Sequence, residues 1–315
     1  MKRTVLIACC TAAFWLLTGC AGSSEVAQQG DLSKHEITVD QLERSYLLYT
    51  PASAISSQKT RPLVLVFHGG GGTARGIAKE VGPSLHGIAD HEGFLIAYPD
   101  AVDKIWDFGA GLISESLDVR IDDRAYFAAV LDELTNTKPI DEQKIFATGI
   151  SRGGQASYFV ACVFPDRIRA IAPVAMPMPT FMLDLCPDTQ GIGVAILNGT
   201  DDPLVPYDGG HIRVGRRERG EVMSTDDTIN FWRSRNNCAA EPTAKAVLDP
   251  ENDRMQVHKT SWEKCEHDPV LLYRIQGGGH TWPSGRQYLP RFLVGPVNRD
   301  IDAATEIWSF FSRFR

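Results

Sequence analysis

The sequence sets a serine between glycines in Gly149-Ile-Ser-Arg-Gly153, with a further Gly154 behind it. A strand-like run, Lys144 to Thr148, precedes this segment, and a helical pattern follows from Gln155 to Phe164. At a strand-to-helix turn of this kind the flanking residues must be small, because the backbone passes close to its neighbours. The turn would hold the Ser151 hydroxyl above the sheet edge, where a helix N-terminus favours developing negative charge. A serine oxygen is a weak nucleophile without a base. His280 is the candidate base: it sits in Gly277-Gly-Gly-His-Thr-Trp-Pro283, directly after the last apolar strand pattern. An imidazole base needs a carboxylate to fix its tautomer. Asn198-Gly-Thr-Asp-Asp-Pro203 offers two, and Asp202 is favoured over its neighbour Asp201.

Ser151, Asp202 and His280 follow one another in the Ser…Asp…His order of α/β-hydrolases. A fourth part precedes them. His68-Gly-Gly-Gly-Gly72 follows the apolar run Pro62 to Phe67, in the manner of the HGGG-type loop of lipases and esterases. Its glycines let backbone N–H groups approach an oxyanion, and Gly70 and Arg152 are the expected donors. A phosphate-binding loop is excluded there, since no Gly-Lys-Ser/Thr follows.

The elements that must position these residues can be read along the chain. Glu36 to Thr50 reads as an opening hairpin, Pro62 to Phe67 as a strand buried on both faces, and Phe94 to Tyr98 as another strand. A helix is expected over Ala74 to His91, broken at Gly82-Pro83. A second helix, capped by Asp122 or Asp123, carries Tyr126, Phe127, Val130, Leu131 and Leu134 at helical spacing. Further strands are predicted at Ile171–Ala175, Val194–Leu197 and Val270–Ile275, with helices at Ser224–Asn236 and Ala303–Phe311. Alternation of strands and helices predicts an α/β fold, a mainly parallel central sheet flanked by helices. Residues 36–315 read as one catalytic domain.

The N-terminus reads separately. A basic start, Lys2-Arg3, and a short apolar run lead to Leu17-Thr18-Gly19-Cys20, which resembles a bacterial lipobox. Residues 1–19 are thus expected to be a signal peptide, Cys20 the lipidated residue, and 20–35 a flexible tether. Ala21 is not the Asp associated with inner-membrane retention, which points to the outer membrane; secretion as a soluble protein is the alternative. Of seven cysteines, Cys162, Cys186, Cys238 and Cys265 remain for the exported domain. Two disulfides are expected, and sequential pairing closes the shortest loops. Scattered single cysteines make a zinc site unexpected, and no metal or organic cofactor is expected. A net charge of −7 disfavours a nucleic-acid partner. No obligate protein partner is evident.

The stretches Leu63–Gly72, Tyr98-Pro-Asp100 with Trp106, Asp122–Leu134, Lys144–Ala175, Gly199–Tyr207 and Gly277–Pro283 resemble the secreted polyhydroxybutyrate depolymerase-like esterases. That family shades into feruloyl and acetylxylan esterases. The resemblance implies a serine ester hydrolase with Ser151, Asp202 and His280 as its triad, Asp202 being the Asp directly before Pro203. Its habitual cysteines fall on the four above, in agreement with the pairs Cys162–Cys186 and Cys238–Cys265. Hydroxyalkanoate esters are the first expected substrates, and feruloylated or acetylated polysaccharide the alternative. A peptidase or thioesterase on the same triad, or a non-catalytic binding lipoprotein, are the remaining classes. Trp106, Tyr207 and Trp282 are candidates for the pocket wall. Two positions depart from the family. Gly70 stands where Cys is frequent, and Arg152 where Ala or Asn is common. Because a cation at a helix N-terminus opposes the helix dipole, Arg152 is expected to meet an acid, Asp122 or Asp123, or else a substrate carboxylate.

Overall fold

The computed structural model describes residues 30–55, 57–109, 111, 113–114, 117–186 and 191–314. The signal peptide, Cys20 and most of the tether lie outside these residues.

The chain opens with an antiparallel pair, β1 (Asp31–Val39) and β2 (Leu42–Thr50). Next come β3 (Arg61–Phe67), α1 (Ala74–Glu92) and β4 (Leu95–Pro99). A two-residue ladder of β5 (Ile113–Ser114) with β6 (Val119–Arg120) leads to α2 (Asp123–Thr137). The centre is β7 (Ile140–Ile150), α3 (Arg152–Val163), β8 (Ala170–Val174) and β9 (Gly193–Gly199). A separate hairpin, β10 (Gly210–Val214) with β11 (Arg217–Val222), precedes α4 (Thr225–Arg235). The chain ends with β12 (Ala244–Leu248), β13 (Gln256–Trp262), β14 (Val270–Gln276), α5 (Arg291–Val294) and α6 (Ala303–Phe311).

One sheet runs β1-β2-β4-β3-β7-β8-β9-β14-β13-β12. Its middle, from β4 to β14, is parallel, and antiparallel pairs close both edges. This is the expected α/β architecture. Parallel strands are covered on both faces, which is why β3, β8 and β9 are near-continuous apolar runs rather than alternating ones. One core packs α2, α3 and α4 on the sheet, and the other packs α1 and α6.

Two expectations need correction. The sheet begins at Asp31, so residues 31–35, assigned to the tether, belong to β1 and pair with β2. Helix α1 also runs unbroken through Gly82-Pro83. Its buried face, Ile77, Ala78, Val81, Leu85 and Ala89, lies in a single core on both sides of the proline. Burial of that face offsets the roughly 3 kcal/mol that an internal proline costs.

Helix ends follow local chemistry. Thr73, Asp122, Ser224 and Asp302 each accept a hydrogen bond from a first-turn N–H of the helix they cap. Helix α3 is different, because Ser151 makes no capping bond. The two expected disulfides are formed: Cys162 at the end of α3 with Cys186, and Cys238 after α4 with Cys265.

A buried ion pair ties β2 to α2. Arg44 Nη2 lies 2.6 Å from Asp123 Oδ1, with side chains 2% and 0% exposed. The guanidinium also stacks 3.8 Å from the Tyr126 ring centre. Asp123 accepts a further bond from the Asp107 N–H at 2.5 Å. Replacing one partner strands the other charge without solvent. Arg44→Met is therefore expected to cost about 3–5 kcal/mol in urea unfolding. The double variant Arg44→Met/Asp123→Leu should regain much of that loss.

Candidate active site

The turn at Ser151 is built by close backbone packing. Ser151 has φ 59° and ψ −123°, a conformation in the left-handed range that non-glycine residues rarely adopt. A Cβ on Gly153 would lie 2.1 Å from the Phe67 carbonyl oxygen, and one on Gly149 2.5 Å from the same atom. Only glycine fits at either position. The helix that follows thus starts hard against the end of β3, with an uncapped first turn.

The loop after β3 is held beside it. His68 is buried; its Nε2 accepts from the Ala101 N–H at 3.1 Å, which places the ring proton on Nδ1, 2.8 Å from the Gly69 carbonyl. Trp106 Nε1 donates to the His68 carbonyl at 2.9 Å. The Gly71 and Gly72 N–H groups are used by Lys104 and Gly69 carbonyls. Among the described residues, the N–H groups of Gly69, Gly70 and Arg152 make no hydrogen bond. A Cβ on Gly69 would come within 3.5 Å of Ser151 Cβ, so this loop borders the serine. Free donors converging beside a nucleophile are what an oxyanion requires.

Asp202 and His280 meet at the ends of β9 and β14. His280 Nδ1 lies 2.7 Å from Asp202 Oδ2, with both side chains buried. The other carboxylate oxygen, Oδ1, accepts from the Leu204 and Val205 N–H groups at 2.8 Å each. Backbone bonds join the two loops, Thr200 N–H to Ile275 and Asp201 N–H to Gly278. His280 is gripped from the far side too: its N–H donates to Val294 at 2.6 Å, and Tyr288 Oη donates to its carbonyl at 3.0 Å. Asp201 is instead exposed and accepts from the Thr200 hydroxyl. Of the two acids left open by the sequence, Asp202 is the one in contact with the imidazole.

The pocket candidates fare differently. Trp106 is fully buried and Trp282 is 2% exposed, so both are core side chains without a surface to offer a ligand. Trp106 nevertheless matters to the site, since it pins the loop at His68. Tyr207 is also buried; its hydroxyl faces Asp226, and its carbonyl accepts from Thr225 at the start of α4. An open cleft around Lys144, Arg169, Asp268 and Arg313 lies at the opposite, N-terminal ends of the strands. It is built on the Arg169–Asp268 ion pair rather than on the serine.

Among the described residues no acid touches Arg152, although Asp123, one of the two expected, and Asp107 act on its charge from a distance. Asp123 is taken by Arg44, and Asp122 caps α2. Arg152 Nη2 donates instead to the Trp106 carbonyl, and its guanidinium carbon lies 5.4 Å from the Phe108 ring centre. Sequence reading had no means to foresee this, because the partner is a backbone oxygen 46 residues away.

No family profile matches the chain. NocK of Nocardia uniformis subsp. tsuyamanensis, a protein named as an esterase, is 31% identical over 285 residues. That alignment covers 85% of this chain and 79% of NocK. The chain belongs to this esterase family. Feruloyl esterase B of Piromyces equi is 26% identical over 241 residues, 74% of this chain and 42% of that protein. Among solved structures, the acetyl xylan esterase of Aspergillus awamori matches 90% of this chain and all of its own, with a TM-score of 0.58 and 14% identity. At that identity the likeness speaks for the α/β-hydrolase fold. The protein is thus a carboxylic ester hydrolase. Further relatives are named as feruloyl esterases or, in one case, as an acetylxylan esterase/xylanase.

A carboxylate held by two backbone donors acts on the imidazole through one bond. Asp202→Asn is expected to lower kcat/KM for an aryl ester by about 10³–10⁴, by presenting the wrong tautomer of His280. Asp201→Asn should stay within a few fold of the parent, and a reversal of that order would reassign the acid.

Proposed function

We propose that Ser151 attacks the carbonyl of a feruloyl- or acetyl-type ester, with His280 as general base and then general acid. The observation that supports this reading is the buried Asp202–His280 pair after β9 and β14, on the same C-terminal sheet edge where the uncapped Ser151 turn follows β7. His280 takes the serine proton as the bond to the carbonyl carbon forms. The Gly70 and Arg152 N–H groups receive the negative charge that develops on the carbonyl oxygen. The protonated imidazole gives its proton to the departing alcohol, leaving an acyl-serine. Water, deprotonated by the same imidazole, then releases the acid and restores Ser151. Asp202 remains ionised throughout and stabilises the imidazolium. The name of the Piromyces equi relative favours a feruloyl ester over a hydroxyalkanoate.

The test is a side-by-side assay on methyl ferulate, acetylated xylan and hydroxybutyrate oligomers. Ser151→Ala is expected to remove at least about 10⁴ of the activity on whichever substrate is turned over. Substantial activity in that variant would sink the triad. Preference for hydroxybutyrate oligomers would overturn the substrate class alone.

The esterase is further proposed to sit at the cell envelope through lipid on Cys20. The lipobox-like Leu17-Thr18-Gly19-Cys20 supports the anchor, and the two disulfides support an oxidising compartment. Cys20→Ala is expected to move the protein from the membrane pellet to the soluble fraction. Unchanged partition would refute the anchor.

A further inference from the structure

Arg152 is the first residue of α3, directly after the candidate nucleophile, and its side chain is mostly buried. It crosses the loop after β3: a Cβ on Gly70 would lie 3.0 Å from Arg152 Cδ. Its partners are one backbone carbonyl and one aromatic face. Its Nε is buried without a hydrogen-bond partner, and among the described residues the acids that act on it, Asp123 and Asp107, make no ion pair with it. A buried cation with no anion in direct contact is costly, the more so at the positive end of a helix.

A second cation stands nearby. Phe108, under the Arg152 guanidinium, stacks on Phe181 at 6.4 Å between ring centres. Phe181 belongs to a 3-10 turn, Thr180–Leu185, and this turn is tied to β11. Thr180 donates to the Glu221 carbonyl, and Pro179 bridges to Val222. On that strand Arg219 is exposed and makes no ion pair among the described residues. Burial, and then the charge of Arg219, hold the Arg152 guanidinium below its usual range, so the two cations feel each other. The acids of the hairpin are turned away, as Glu218 and Glu221 lie against His211 at 3.7 and 3.0 Å. A chain of net charge −7 thus gathers Arg213, Arg216, Arg217 and Arg219 on one hairpin, which the Arg213 N–H ties to Leu204 in the loop of Asp202.

We infer that the esterase selects substrates carrying a free carboxylate besides the ester, received by Arg152 and closed over by Arg219. The inference rests on the esterase reading of Ser151 and adds a substrate class to it. A guanidinium plane matches a carboxylate, and the anion would replace the repulsion between two arginines with two attractions.

Matched ester pairs test this, with the carboxylate on the acyl side or on the alcohol side. One pair is the mono-4-nitrophenyl ester of adipic acid against 4-nitrophenyl hexanoate. The other is 4-acetoxybenzoate against 4-methylphenyl acetate. The readout is the ratio of kcat/KM, acid over neutral, in wild type and variants. In at least one pair the ratio should fall about tenfold or more in Arg152→Gln and severalfold in Arg219→Gln. Arg152→Lys should keep part of it, and added salt should lower the wild-type ratio. Ratios in both pairs that are unchanged by Arg152→Gln would overturn the inference while leaving an esterase. No hydrolysis of any of the four esters by wild type would overturn the reading of Ser151, and the inference with it.

Discussion

The site hangs on one steric constraint, the approach of Gly153 to the Phe67 carbonyl. No side chain fits there, so β3, β7 and α3 can converge at one point and nowhere else nearby. That convergence forces Ser151 into its left-handed conformation and denies α3 a side-chain cap. The missing cap is usually a defect worth about 1 kcal/mol. Here it leaves N–H groups free beside a serine, so the local loss of stability falls where the proposed mechanism needs donors for negative charge. The strained conformation is held by the surrounding sheet, whose strands on both sides are almost entirely buried.

What could be read from the chain was what local chemistry dictates. Glycine at 149 and 153, the caps at Asp122 and Ser224, and the buried runs of β3 and β9 all declare themselves in residue types. The disulfide pairs were legible as the shortest loops among three possible pairings, in agreement with the family resemblance. The overlooked elements share a different character. In hairpin β10–β11 the second strand is charged at four of its six positions, so it lacks the alternation that marks a strand, and Gly209, Gly210, Gly215 and Gly220 take positive φ. The continuity of α1 through Pro83 was likewise decided by tertiary burial, which outweighed a local rule.

The aromatic residues and Arg152 show where residue type stops being informative. Trp106 looked like a pocket wall and is instead a strut, donating to His68 from inside the core. Arg152 looked as though it needed an acid, and the nearby acid had been claimed by Arg44 across the α2 face. In each case the deciding partner is a backbone carbonyl, or a residue far away in sequence. Such partners leave no pattern in the chain.

The clasp between the Asp202 and His280 loops has a bearing on how this protein can change over time. The two loops are joined through main-chain atoms, Thr200 to Ile275 and Asp201 to Gly278, and a further main-chain bond holds His280 to Val294. Main-chain bonds survive substitution of most side chains that carry them. Neighbouring positions such as Leu289, Phe292 and Leu293, all exposed on the segment that grips His280, are therefore free to vary without moving the imidazole. Descendants of this chain can trade those side chains while the Asp202–His280 pair is inherited unaltered.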